Sequence, residues 1–162
     1  MELRVRNYAV IQDVRLEFGR GLTVLSGETG AGKSLLVGAL SLLLGDRASS
    51  DVVREGEERA SVEGRFDVSE LPAVWRRCDA AGIEVSEGWL IVRREVHREG
   101  RNRAWINGTP ATAGLIRDLA ASLIEDVGVA HEPVAQLAQR ELDPAQIAGP
   151  RLLGQGAGVE RV

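Results

Sequence analysis

"GLTVLSGETGAGKS", residues 21–34, passes from a near-continuous apolar run into a glycine-rich loop that closes on a lysine and a serine. The run "GLTVLSG" has the pattern of a strand buried on both faces. The loop "GETGAGKS" fits G-x-x-x-x-G-K-[ST]: Gly27, Gly32, Lys33 and Ser34 take the fixed places, with Glu28, Thr29, Gly30 and Ala31 between them. In "KSLLVGALSLLLG" that follows, Leu36, Leu40 and Leu43 recur at helical spacing, and Gly45 is a stop signal. A buried strand, a glycine-rich turn and an apolar helix are the context that a phosphate-binding loop requires.

Each residue type in the loop has a chemical reason. Glycines let the backbone curl so that successive N–H groups point inward at phosphate oxygens. The helix begins at the loop, so the positive end of its dipole faces the anion. Lysine brings a compact charge on a flexible stem, which the planar fork of arginine does not replace. Lys33 is the only lysine in a chain whose other basic residues, 19 of the 20 Lys and Arg, are arginine. The Ser34 hydroxyl is a hard oxygen ligand suited to Mg²⁺. The loop therefore points to a nucleoside triphosphate with its Mg²⁺.

The rest of the composition narrows the class. At 162 residues and 44% hydrophobic content, the chain is long enough for one domain, or part of one, with a real core. The formal charge of -4 gives no global attraction to nucleic acid or anionic membrane. A single cysteine, Cys78, excludes an internal disulfide and fits a reducing compartment. The N-terminus lacks the apolar core of a signal peptide, and "LLVGALSLLLG" is too short to span a bilayer, so the expectation is a cytosolic protein.

Before the loop, "ELRVRNYAV" and "DVRLEF" alternate apolar and charged residues, which predicts two half-buried antiparallel strands. After it, "ERASVEGRFDV" alternates as a strand through Ala60, Val62, Phe66 and Val68. "ELPAVWRRCDAAG" predicts a helix capped by Ser69, with Leu71, Val74, Trp75 and Cys78 on its apolar face and Gly82 at its end. "WLIVRREVH" and "NRAWING" predict a hairpin around "REGR". "LIRDLAASLI" predicts an amphipathic helix through Leu115, Leu119 and Leu123. Beyond Asp126 the pattern weakens into a Gly-rich tail, expected to be poorly ordered.

Small kinases and GTPases place the phosphate loop directly after a first strand. Here an antiparallel pair comes first, and no N-K-x-D motif for guanine occurs. Both features favour a nucleotide domain of the ATP-binding-cassette type.

"LRVRNYAVIQDVRLEFGRGLTVLSGETGAGKSLLVGALSLLLGDRAS", together with "VVREG" and "NRAWINGTP", closely resembles the start of the RecN family of bacterial DNA repair proteins, relatives of the SMC ATPases. The resemblance covers about residues 2–124. It implies an α/β fold, a P-loop NTPase of the ABC/SMC head type, in which an antiparallel β subdomain accompanies a central sheet flanked by helices. Residues 1–124 would form the N-terminal lobe of the head, and residues 125–162 an atypical tail. The family places a coiled coil and a C-terminal lobe after this segment, and the C-terminal lobe carries the signature motif and the Walker B acid. Heads dimerise around ATP and act in recombinational repair of DNA double-strand breaks.

By that resemblance residues 27–34 bind ATP and Mg²⁺, and the partners are the C-terminal lobe, a second head and DNA without regard to sequence. No membrane is involved, and the location is cytoplasmic and nucleoid-associated. Arg54 matches the arginine that related heads place near nucleotide and DNA; its alternative is a solvated loop residue. Arg47 is comparable. The family continues after "LI" with a short strand ending in Gln-His. This chain reads "EDVGVAHEPV", with Ala130 where that glutamine stands and His131 at the histidine.

The remaining constellations are weaker. "SLIED", ending in Glu125 and Asp126, has too few apolar residues for a Walker B strand and reads as a helix end, and no "LSGGQ"-like signature occurs. Alone, the chain is expected to hydrolyse little ATP. "RREVHREGRNR" gathers Arg93, Arg94, Arg98, Arg101 and Arg103 on the predicted hairpin, either as a DNA-phosphate patch or as a solvated charged hairpin. Trp75, Trp89 and Trp105 read as core or interface residues. Two other classes stay open: a self-contained P-loop kinase using Arg93 and Arg94 as charge stabilisers, and a nucleotide-binding module without hydrolysis.

Overall fold

A computed structural model describes residues 1–19 and 31–126. The predicted strand "GLTVLSG", the loop residues Gly27, Glu28, Thr29 and Gly30, and the tail from residue 127 onward, including Ala130 and His131, lie outside the described residues. The described elements are β1 (Glu2–Tyr8), β2 (Ile11–Glu17), α1 (Ala31–Leu43), a 3₁₀ turn (Ser50–Val52), β3 (Arg59–Asp67), α2 (Pro72–Ala80), β4 (Trp89–His97), β5 (Arg103–Ile106), β6 (Thr109–Pro110) and α3 (Ala113–Asp126).

The two predicted antiparallel pairs and the strand between them join into one sheet. Its order is β2-β1-β3-β4-β5-β6, and every pairing is antiparallel. The period-2 alternation explains its two faces. Leu3, Val5, Ala60, Val62, Leu90, Val92, Val96 and Ile106 are buried and form one core with Ala39, Leu42 and Leu43 of α1 and Ile116 and Leu119 of α3. The opposite face carries the charged partners of that alternation. There Arg4 and Asp13 form a bidentate pair across β1 and β2, at 3.2 and 2.9 Å, and Arg65 lies 3.9 Å over the Trp89 ring.

The C-terminus of α1 is closed by a glycine, as its sequence predicts. The Asp46 N–H donates to the Ser41 carbonyl and the Gly45 N–H to the Leu42 carbonyl, at 3.1 and 3.2 Å. Gly45 has φ +99°, the left-handed residue of a Schellman closure. A Cβ there would also meet the Ala113 carbonyl oxygen at 2.9 Å, so α3 approaches this turn closely.

One local expectation is corrected. Ser69 does not cap α2: the cap position is Leu71, with no side-chain cap bond, and Pro72 starts the helix. The Ser69 hydroxyl instead donates to the Asp67 carboxylate, an Asx-type local bond that competes with capping. The short strand β6 has no periodic signal of its own. Its turn residues, Asn107 and Gly108, have φ +46° and +79°, the values an Asn-Gly type I′ hairpin needs.

Candidate nucleotide-binding end of the sheet

The direction of α1 across the sheet fixes where its first turn lies. Near its C-terminus, Leu43 packs over Gly64, within 2.8 Å of where a Cβ would stand, and Gly64 pairs with Leu3 at the start of β1. Five residues earlier, Gly38 lies against the hydroxyl of Tyr8, 3.0 Å from the ideal Cβ position. Tyr8 is the last residue of β1. The helix therefore runs back along β1, and its first turn lies beyond Tyr8, at the sheet end that carries the β1–β2 turn.

That first turn holds Gly32, Lys33 and Ser34, with Lys33 half-buried and Ser34 exposed. No acidic residue occupies it, so the positive end of the helix dipole is not offset from within the turn. The donor set of this turn, an ammonium, a hydroxyl and helix N–H groups, fits a triphosphate and a hard cation. Ala31 is helical, and the preceding four loop residues are outside the described residues.

Arg54 is anchored at the same end. Its N–H donates to the Asn7 carbonyl at 2.9 Å, and the Ala9 N–H donates to the Val52 carbonyl at 2.7 Å. The Arg54 guanidinium donates through Nη1 to the Val10 carbonyl at 2.6 Å. The segment after α1 is thus laced onto the β1–β2 turn, where Asn7 and Ala9 hold positive φ of 51° and 49°. The other nitrogens of the Arg54 fork have no partner among the described residues.

The predicted basic hairpin divides. Arg94 is buried, 5% exposed, and donates to the Leu42 and Asp46 carbonyls at 3.0 and 3.4 Å. Burial holds its guanidinium below the ordinary arginine range. Arg98 is committed to backbone carbonyls of Val53, Arg54 and Glu57. Arg93 pairs with the buried Glu95 and lies over Trp105. Arg101 and Arg103 are exposed. Of the five, only Arg94 is buried; Arg98 is exposed but spent on backbone carbonyls, and the structural roles of these two were missed. Arg94 had a signal: it falls on the buried phase of β4, in register with Val62. Glu125 and Asp126 close α3 and belong to no strand, as a helix end requires.

A family model described as an AAA domain matches residues 2–107. The chain belongs to that AAA domain family. It is also a homologue of the DNA repair protein RecN over its N-terminal region. It is 40% identical to that protein of Halalkalibacterium halodurans over 132 residues, which cover 82% of this chain and 23% of the relative. It is 44% identical to that of Xylella fastidiosa strain Temecula1 over 126 residues, 76% of this chain and 22% of the relative. The chain thus spans about a fifth of the length of the curated relatives it matches. Among solved structures, an SMC ATPase chain from work on ATP-driven dimerization and DNA stimulated activation superposes with a TM-score of 0.61 at 23% identity. That match covers 90% of this chain and 92% of the other, and it shows the shared fold of an SMC-type head lobe. No helix among the described residues is long and apolar enough to cross a membrane.

Proposed function

We propose that this chain is the ATP-binding N-terminal lobe of a RecN-type ATPase head acting in cytoplasmic repair of DNA double-strand breaks. The lobe comprises residues 1–124, and the segment from residue 125 is a tail. Residues 27–34 hold the triphosphate. Lys33 places its ammonium among the phosphate oxygens, and Ser34 supplies an oxygen to Mg²⁺, which neutralises charge on those oxygens. The observation that carries this reading is the position of Lys33 and Ser34 on the first turn of α1, at the sheet end where Arg54 is anchored. The RecN homology supports it.

The chain binds nucleotide but turns over little by itself. Neither the sequence nor the described residues contain a Walker B strand or a signature motif, so water positioning and the second half of the nucleotide sandwich come from the C-terminal lobe and a second head. DNA contact, where it occurs, rests on Arg93, Arg101 and Arg103 and is indifferent to base sequence. Phosphate release tests the division of labour. Turnover that appears only when a C-terminal lobe is added supports it; robust turnover by this chain on a small acceptor would make it a kinase instead.

A further inference from the structure

The segment that carries Arg54 is irregular, so its carbonyls need partners from elsewhere. One side chain supplies three of them. Arg98 Nε donates to the Glu57 carbonyl at 3.0 Å, and Nη2 donates to the Val53 and Arg54 carbonyls at 3.1 and 2.8 Å. The Arg98 N–H donates to the Glu58 carbonyl at 2.9 Å. The turn it spans is closed by the Glu57 N–H on the Arg54 carbonyl, at 3.0 Å, with Gly56 at φ +82°. On the opposite flank, Asn7 Nδ2 donates to Glu57 Oε2 at 2.9 Å, beside the bonds from Arg54 to Asn7 and Val10. Arg54 is held from both sides: by the β1–β2 turn on one and by a guanidinium from the end of β4 on the other.

We infer that Arg98 is a positioning residue for Arg54, fixing it at the phosphate end of the lobe. This rests on the proposed role of Arg54 toward nucleotide. The two side chains carry like charge, so attraction between them is not what holds the arrangement. The planar fork of Arg98 is: it reaches three carbonyls at once, whereas a lysine ammonium presents a single point of contact. The Arg98 fork is thus spent on backbone carbonyls, and its place among the basic residues of the hairpin has a purpose other than DNA.

The test is calorimetric titration of the whole chain with ATP and Mg²⁺, comparing the parent with Arg54→Ala, Arg98→Ala, Arg98→Lys and the double alanine variant. Arg54→Ala and Arg98→Ala should each weaken ATP binding about tenfold. The double variant should be no weaker than either single one, since both remove the same contact. Arg98→Lys should fail to restore affinity, and it reads the same contrast should the alanine variant not fold. Losses that multiply in the double variant, or parent affinity in Arg98→Lys alongside a weakened Arg54→Ala, would overturn the inference. Parent affinity in Arg54→Ala would overturn the Arg54 reading itself and the inference with it, leaving Lys33 as the nucleotide ligand.

Discussion

Arg94 on β4 donates to the Leu42 carbonyl at the end of α1, 3.0 Å away and 52 residues distant in sequence. A second bond runs to Asp46. This buried cation occupies a core-facing position, across from Val62. It has no ion-pair partner among the described residues. The carbonyl end of the α1 dipole takes that place. Arg94→Met roughly keeps the volume and removes the charged donors, so the Leu42 carbonyl keeps only its bond from the Gly45 N–H and the Asp46 carbonyl loses its partner from β4. It should destabilise the chain by about 2–3 kcal/mol, read from urea unfolding midpoints. A stability equal to the parent would mean that the guanidinium contributes nothing to docking the helix.

Tyr8 and Gly38 define the other contact of α1 with the sheet. Replacing a helical glycine by alanine ordinarily stabilises by about 1 kcal/mol. At Gly38 the new methyl would stand 3.0 Å from the Tyr8 hydroxyl oxygen, tight enough to offset that gain. Gly38→Ala should therefore be near neutral or destabilising in the parent and stabilising in a Tyr8→Phe background. Thermal midpoints of the four variants give the coupling. Equal effects of Gly38→Ala in both backgrounds would remove this contact as the reason for the glycine.

Cys78 is fully buried on α2, and burial pushes its thiol above the ordinary range. The folded state favours the neutral thiol. That contribution is intact below the unfolded thiol's pKa and is lost as pH rises through the folded value. At neutral pH an aromatic disulfide reagent should label Cys78 about a hundredfold or more slowly in buffer than in denaturant, because the native state must open first. Equal rates would place the thiol at the surface.

The strands and helices of this lobe were legible because the period of their apolar residues matches the face they bury. Leu3 and Val5, Ala60 and Val62, and Leu119 on α3 all went where their spacing directs. The phosphate-loop motif stands out in the sequence because its chemistry restricts Gly27, Gly32, Lys33 and Ser34, of which the first lies outside the described residues. The structural roles of buried Arg94 and carbonyl-bound Arg98 were not legible. A charge on a strand reads as exposed unless the phase of its neighbours is given more weight than its own polarity, and Arg94 lies in phase with Val92 and Val96. Arg98 finds its partners 41 to 45 residues away, a relation that no local pattern contains. Ser69 failed as a cap because Asp67, two residues back, competes for its hydroxyl.

Under the proposed function, Lys33 grips a triphosphate from the first turn of α1. Equilibrium titration of the chain with ATP and Mg²⁺, parent against Lys33→Ala, tests it most directly, with circular dichroism confirming that both are folded. The parent should bind saturably, and Lys33→Ala should lose measurable binding. Undiminished ATP affinity in a folded Lys33→Ala variant would contradict it.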